Sequence, residues 1–535
     1  MKKKIILICT LFFSMGNIYS QSVYDAVNLA SEDLNGTARF VGMGGAMGAL
    51  GGDISTMGTN PAGIGIYRSH DLMTTFGFSN YTTKSNYLGQ SMKTDNNRMS
   101  FDNIGFVYSS KMSDNSALRF VNFGFNYTRS KSLYNNMSMS GLMGQYGKTY
   151  LTQTNSMAQQ AEDTDPYKNI NFGADDIFDP IYDAGWLAAL GWNTHLVNQD
   201  LKGDYFSAIN NEASATFHSR ERGGIDKYDF NIAFNVYDRF YFGMTVGAYD
   251  VNYDKDTFYG ENYISAKTGT ATGAGYALQS WNNIDGTGYD VKFGAIVRPF
   301  ESSPLRIGVA IHSPIFYDLT YTTSANINSQ LYLNGGSTLT TSSVDTYDRV
   351  GDYKQDFRLR TPWKYNLSLG YTVGKFLALG AEYEYEDYST MNFSHTNGDN
   401  MDYENNEADL CLKAVNTLRI GAEYKFVPEL SFRVGYNYSS AIFKQNAIKA
   451  LPTNSILTDT DFSNSLSHNN FTFGLGLKIS NFYADMAYQY STYKANFFPF
   501  YNEISVDKVN NIVTAEATKV KNEHSQLLLT LGVRF

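Results

Sequence analysis

FTFGLGLKISNFYADMAYQY, residues 471–490, is the stretch from which the fold is read. Phe471, Phe473, Leu475, Leu477 and Ile479 alternate with Thr472, Gly474, Gly476 and Lys478. Past Ser480 and Asn481 the pattern resumes, with Phe482, Ala484, Met486, Tyr488 and Tyr490 set against Tyr483, Asp485, Ala487 and Gln489. A period of two is a strand with one apolar and one polar face. Each run is about ten residues long, and a tilted strand needs about 9–11 residues to cross a bilayer. The pair therefore reads as a hairpin of membrane-spanning length. A soluble sandwich can show the same alternation, so repetition, length and chain ends decide.

Repetition comes first. Alternating runs begin near Leu72, Ile104, Leu118, Tyr228, Phe240, Tyr289, Leu305, Trp363, Leu377, Leu418, Leu430, Phe471, Phe482 and Leu527, fourteen in all. A closed bacterial barrel needs an even number. Short gaps follow the even runs and long gaps the odd ones, the pattern of short periplasmic turns and long outer loops. An amino end in the periplasm would send the first strand outward and place the odd-strand loops outside. In the last run Leu527, Leu529, Leu531, Val533 and Phe535 alternate up to a terminal aromatic. This resembles the carboxy-terminal signature read by the outer-membrane assembly machinery, an expected partner.

Composition agrees. Of 535 residues 18% are charged and 15% aromatic, with 46 Gly, and no long apolar stretch follows the amino end. That suits an all-β membrane protein rather than a helical one. The formal charge of −10 argues against a nucleic-acid partner. Residues 1–20 read as a secretory signal: Lys2, Lys3 and Lys4, an apolar segment, then the small Ser20. Once they are removed Cys411 is the only cysteine, which allows no internal disulfide.

Residues 21–68 differ from all that follows. Gly42, Gly44, Gly45, Gly48, Gly51 and Gly52 break any strand period and permit close backbone packing. Their spacing is not that of a phosphate-binding loop. The segment is a compact plug or a periplasmic arm, and 69–535 is the barrel.

Within it, 53–65 reads DISTMGTNPAGIG, and Asn60, Pro61, Ala62 and Gly63 match the hatch motif of the FadL-type long-chain fatty-acid and hydrocarbon transporters. Further echoes follow in the family's order: Arg306-Ile307-Gly308-Val309-Ala310 leading to Ser313-Pro314, then Thr361-Pro362, Gly421-Ala422-Glu423-Tyr424 and Arg433-Val434-Gly435-Tyr436. The resemblance implies a 14-stranded antiparallel transmembrane β-barrel in the Gram-negative outer membrane, its lumen plugged by the amino-terminal hatch. It also implies passive, hatch-gated passage of small hydrophobic molecules, such as long-chain fatty acids, with exit sideways through the wall. Outer-membrane lipid and lipopolysaccharide are the expected surroundings.

Two groups of residues are candidates for ligand contact. The longest loop, 130–227, contains DPIYDAGWLAAL at 179–190, where Ile181, Ala184, Leu187 and Ala188 fall at helical spacing beside Trp186 and Leu190. A helix packing its own loop explains this. So does an outward greasy groove that first captures ligand, which the family places in this loop; Ile181, Trp186, Leu187 and Leu190 are its candidates. Asp175, Asp176, Asp179 and Asp183 are solvated acids or hold a cation bridging lipopolysaccharide. In the lumen, Arg306, Arg419 and Arg433 join Lys292, Arg298 and Lys364, facing Glu382, Glu384, Glu386 and Glu423. They form a cross-strand ion network, or one of them holds a carboxylate.

Catalysis has no visible constellation. The seven histidines lack metal-ligand spacing, there is no G-x-S-x-G elbow, and no cofactor is suggested. A porin for hydrophilic solutes and a surface adhesin are the rival readings.

Overall fold

The computed structural model describes residues 21–113, 116–179, 182–333, 336–506 and 509–535. The segment read as a signal, 1–20, and the candidate Ile181 lie outside them. The chain forms a closed 14-strand antiparallel β-barrel. Its strands are β1 (Asp71–Tyr87), β2 (Gln90–Lys111), β3 (Leu118–Ser132, prolonged by Asn135–Leu142), β4 (Glu212–Val236), β5 (Phe240–Ile264), β6 (Ala271–Val297), β7 (Arg306–His312 and Phe316–Tyr332), β8 (Tyr353–Arg360 and Lys364–Val373), β9 (Leu377–Asp387), β10 (Ala414–Val427), β11 (Leu430–Ser439), β12 (Phe462–Ile479), β13 (Phe482–Phe498) and β14 (Thr518–Arg534). Each pairs with the next, and β14 returns to β1 with Leu527 opposite Phe78. The interruptions of β7 and β8 fall at Pro314 and Pro362, which have no N–H for a ladder. The breaks stitch each other: Ile315 N donates to Thr361 Oγ1 at 2.8 Å and Thr361 N to Ile315 O at 3.1 Å.

β5 shows why the wall has this length. Its outward side chains are Phe240, Phe242, Met244, Val246 and Ala248, then Asp250, Asn252, Asp254 and Asp256. Its inward side chains are Tyr241, Gly243, Thr245, Gly247 and Tyr249 below, and Val251, Tyr253, Lys255, Thr257 and Tyr259 above, where apolar bulk increases. The lower half thus meets hydrocarbon outside, and the upper half meets water outside and an apolar core inside. An apolar belt continues round the wall, with Leu527, Leu529 and Leu531 all exposed on β14.

Strands replace much of the expected outer loop. β4, β5 and β6 have 25, 25 and 27 residues, far beyond the about 9–11 that span a bilayer. The long gap between the first two runs is no loop either. Only Leu88 and Gly89, both with positive φ, join Tyr87 to Gln90, the geometry of a tight two-residue hairpin. The loop expected over 130–227 narrows to 143–211.

The amino end corrects a second expectation. α1 (Val23–Ala30) lies in the upper barrel and not in the periplasm: Tyr24 stacks on Phe443 at 4.7 Å, and its hydroxyl donates to Asn464 Oδ1 near the top of β12. The chain then descends through α2 (Ala38–Gly42) to the opposite end, where His70 N donates to Phe535 O. The first strand still runs outward, because the hatch has already brought the chain to the turn end. Above, α3 (Gln153–Thr164) and α4 (Trp186–Asn193) roof the barrel. The amino end of α3 is held by the buried Glu261, which accepts from Gln153 N at 2.8 Å. α5 (Thr346–Val350) links β7 to β8, and α6 (Asp402–Cys411) lies between β9 and β10.

Candidate functional site

Asn60, Pro61, Ala62 and Gly63 build the turn that seats the hatch. Asn60 Oδ1 accepts from Ala62 N at 3.2 Å, capping the 3-10 turn Pro61–Ile66, and Pro61 fills its first position. The Asn60 amide also reaches Ala295 O in β6 at 3.4 Å. At this turn and along the rest of the hatch, wall glycines make room where hatch backbone comes closest. A Cβ at Gly243 would lie 2.4 Å from Pro61 C, at Gly380 2.0 Å from Ala46 O, at Gly421 2.2 Å from Met43 O and at Gly435 2.2 Å from Gly44 N. Gly105 and Gly124 instead receive hatch side chains, Ile54 and Met57. Gly124 is regularly paired with Val107 and Asn231, so β3 runs through it unbroken.

The lumen cations Arg306, Arg419 and Arg433 are committed to the hatch or to wall carboxylates. Arg306 Nη1 donates to Leu50 O at 2.6 Å. Arg419 bridges Glu382 and Glu384 at 2.7 and 2.8 Å, and Glu382 Oε2 accepts from Gly48 N at 3.0 Å. Arg433 joins Glu423 at 2.7 Å and Asp485 at 2.5 Å, and Glu423 also takes the hatch Arg39 at 2.9 Å. His312 Nε2 meets Thr59 O at 3.0 Å.

Between hatch and roof lies a cavity of about 410 Å³. This falls within the about 300–1,000 Å³ of small-molecule sites. Tyr24, Val27, Ile442, Phe443 and Phe462 give it apolar surface, and many charged side chains face it. Most of its cations are paired: Lys255 with Asp459 at 2.7 Å, Arg129 with Asp226 at 3.2 Å, Lys364 with Glu32 at 3.5 Å.

The cavity reaches a seam in the wall. β2 and β3 are paired from Lys111–Phe120 up to Asn103–Thr128, and above that point β2 pairs with β1 alone. The hatch closes the seam. Asp33 N donates to Ser130 O at 3.0 Å, and Asp33 Oδ2 accepts from Ser132 N at 3.0 Å. Asn35 spans both strands, donating to Asp102 Oδ1 on β2 at 2.9 Å and to Arg129 O on β3 at 3.0 Å. Lys131 donates to Ser31 Oγ. Lys131 on β3 and Arg98 on β2 flank the seam and line the cavity. Neither has an ion-pair partner among the described residues; Arg98 lies 3.4 Å from the centre of the Tyr134 ring. The strand pattern did not reveal Asp33, Asn35 or Lys131; the one signal was a polar run, SEDLN at 31–35, between apolar α1 and the glycine segment.

Trp186, Leu187 and Leu190 are fully buried in the roof rather than lining an outward groove. Indole Nε1 of Trp186 donates to Phe178 O at 3.0 Å, and Trp186 N donates to Ser455 O at 2.9 Å. The nearby aspartates diverge: Asp175 pairs with Arg349 at 2.6 Å, and Asp183 accepts from Asn454.

α6 carries two buried acids, Glu404 and Glu407, and Glu407 takes a backbone hydrogen bond at Val23 of the hatch. Burial pushes Glu404 and Glu407 up to about 8. Because both are raised, their neutral forms stabilise the fold fully below the ordinary carboxyl value of about 4, and that stability is lost as pH rises through about 8. Amide exchange of 402–411, corrected for intrinsic rate, is expected to rise at least about tenfold from pH 6 to 9, since one pKa unit corresponds to a factor of ten. Paired Glu404→Gln and Glu407→Gln changes should flatten that rise. A profile in the unmodified protein that does not change with pH would contradict the assignment.

No family model matches the sequence, and no curated protein matches it. Solved structures of similar shape exist. A Pseudomonas aeruginosa FadL homologue is 12% identical, over 93% of this chain and 98% of that one, with a TM-score of 0.49. The P. putida toluene transporter TodX is 11% identical over 94% and 99%, with a TM-score of 0.47. The Ralstonia pickettii toluene transporter TbuX is 13% identical over 94% and 99%, with a TM-score of 0.45.

Proposed function

We propose that the protein is an outer-membrane transporter of small hydrophobic molecules, with long-chain fatty acids the best fit, working by passive, hatch-gated diffusion and lateral exit. The observation that carries this reading is the parted β2–β3 seam, which opens beyond Asn103 and Thr128 within the height of the apolar belt and is stoppered by hatch residues 31–35. Ligand entering from the roof would reach the cavity, and movement of the hatch at Asp33 and Asn35 would free the seam. A porin needs an open bore, whereas here hatch backbone packs directly against wall glycines.

The cavity favours a ligand with an anionic head over a bare hydrocarbon. Lys131 and Arg98 offer charge without a carboxylate partner, and the surface around Ile442, Phe443 and Phe462 would take an alkyl chain. A charge-assisted hydrogen bond contributes about 1.5–3 kcal/mol. Lys131→Gln should therefore weaken binding of labelled long-chain fatty acid by about tenfold or more. Toluene binding should change little. Equal affinity for fatty acid in variant and parent would overturn the role of Lys131. Fatty-acid uptake that is the same in cells with and without the protein would overturn the transport reading itself.

A further inference from the structure

On the outer face of the upper barrel, four lysines stand side by side across four adjacent strands. Lys93 on β2 is opposite Lys84 on β1, Lys84 is opposite Lys521 on β14, and Lys521 is opposite Lys494 on β13. Neighbouring strands lie about 4.8 Å apart, so the row spans about 14 Å. Like charges directly opposite each other destabilise a sheet. Lys519 lies two residues from Lys521 on the same face. Among the described residues, only Glu523, bonded to Lys84 at 2.5 Å and Lys521 at 2.6 Å, and Asp95, bonded to Lys93 at 2.8 Å, form ion pairs with the group. Lys494 is exposed with no ion pair among the described residues. This excess of positive charge stands on a chain whose formal charge is −10.

Its height is informative. Phe78 and Leu527 are the uppermost large apolar side chains on the outward face of β1 and β14, and Lys84 and Lys521 each lie six residues beyond them. At about 3.3 Å per residue and a tilt near 40°, that is about 15 Å above the belt. The side chains point away from the lumen, so a transported solute does not meet them.

We propose that this row docks the phosphate groups of outer-leaflet lipopolysaccharide, whose acyl chains then lie on the belt below. An ammonium binds phosphate as a point charge, and a cross-strand row gives several such charges at fixed spacing. The row stands above the lipid-facing belt on the same outward face of the same strands, and this placement selects a lipid over a free phosphate. The site rests on the outer-membrane reading and is independent of the transported ligand.

The test is lipopolysaccharide retained by detergent-purified protein. In the variant Lys84→Gln, Lys93→Gln, Lys494→Gln, Lys521→Gln, retention should fall at least tenfold, whereas Lys267→Gln on the β5–β6 loop should change nothing. Unmodified protein should bind lipopolysaccharide stripped of its lipid phosphates at least tenfold less well. Inorganic phosphate at matched phosphate concentration should not displace the intact lipid. Equal retention by the variant, equal binding of the stripped lipid, or displacement by free phosphate would each overturn the site. Heat-modifiable migration and fatty-acid uptake, which should be unchanged, separate its failure from failure of the barrel or of transport.

Discussion

Gly435→Val is expected to open the bore. A Cβ at Gly435 would lie 2.2 Å from Gly44 N, 2.4 Å from Met43 C and 2.6 Å from Gly44 Cα. All three are backbone atoms, and the neighbouring β10 offers no relief, because a Cβ at Gly421 would meet Met43 O at 2.2 Å. Overpacking ordinarily costs about 1–3 kcal/mol when side chains can shift. Here only the hatch can move. Ion conductance in planar bilayers should rise at least about tenfold, the change that 1.4 kcal/mol brings. Gly124→Ala provides the contrast: its Cβ would meet Met57 Cε at 1.9 Å, the far end of a flexible side chain. That variant should stay closed. If both folded barrels conduct alike, wall glycines do not set the fit of the hatch.

Glu423→Ala should have the second large effect. Glu423 is buried and accepts from the hatch Arg39 and the wall Arg433. Breaking a buried ion pair by removing one partner costs about 3–5 kcal/mol. Arg433 keeps Asp485, while the pairing of Arg39 to the wall is lost. Local opening of α2 should rise by about a hundredfold or more, read as faster amide exchange over 38–42. Pairing the change with Arg39→Ala should give less than the sum of the two single effects, because each alone leaves the other charge buried. Strict additivity would show that the hatch is held elsewhere.

The barrel was legible because lipid outside and polar lumen inside impose one alternation on every strand. Legibility failed where that condition ends. In β5 the outward residues turn polar at Asp250 while the bulky Val251, Tyr253 and Tyr259 face inward, so the upper half reads as a different pattern. The same inversion hid residues 212–227 of β4 and made strands look like loops. Asn60 and Pro61 were singled out by the resemblance of their motif, and the cap and fixed φ they supply are local properties that the strand pattern does not carry. The seam was not, since β2 and β3 keep alternating after their pairing has ended. The side chains Trp186, Leu187 and Leu190 announced an apolar helix. Whether it faced ligand or its own roof depended on Phe178, Ser455 and other distant partners.

That hatch and seam act as one gate can be tested with a reversible staple. Asn35 and Asp102, bonded at 2.9 Å, are replaced by cysteine and bridged with a short bifunctional methanethiosulfonate; the native Cys411 is buried. Uptake of labelled long-chain fatty acid should stop while the bridge is in place and return when reductant releases it. Undiminished uptake through the stapled protein would contradict exit between β2 and β3.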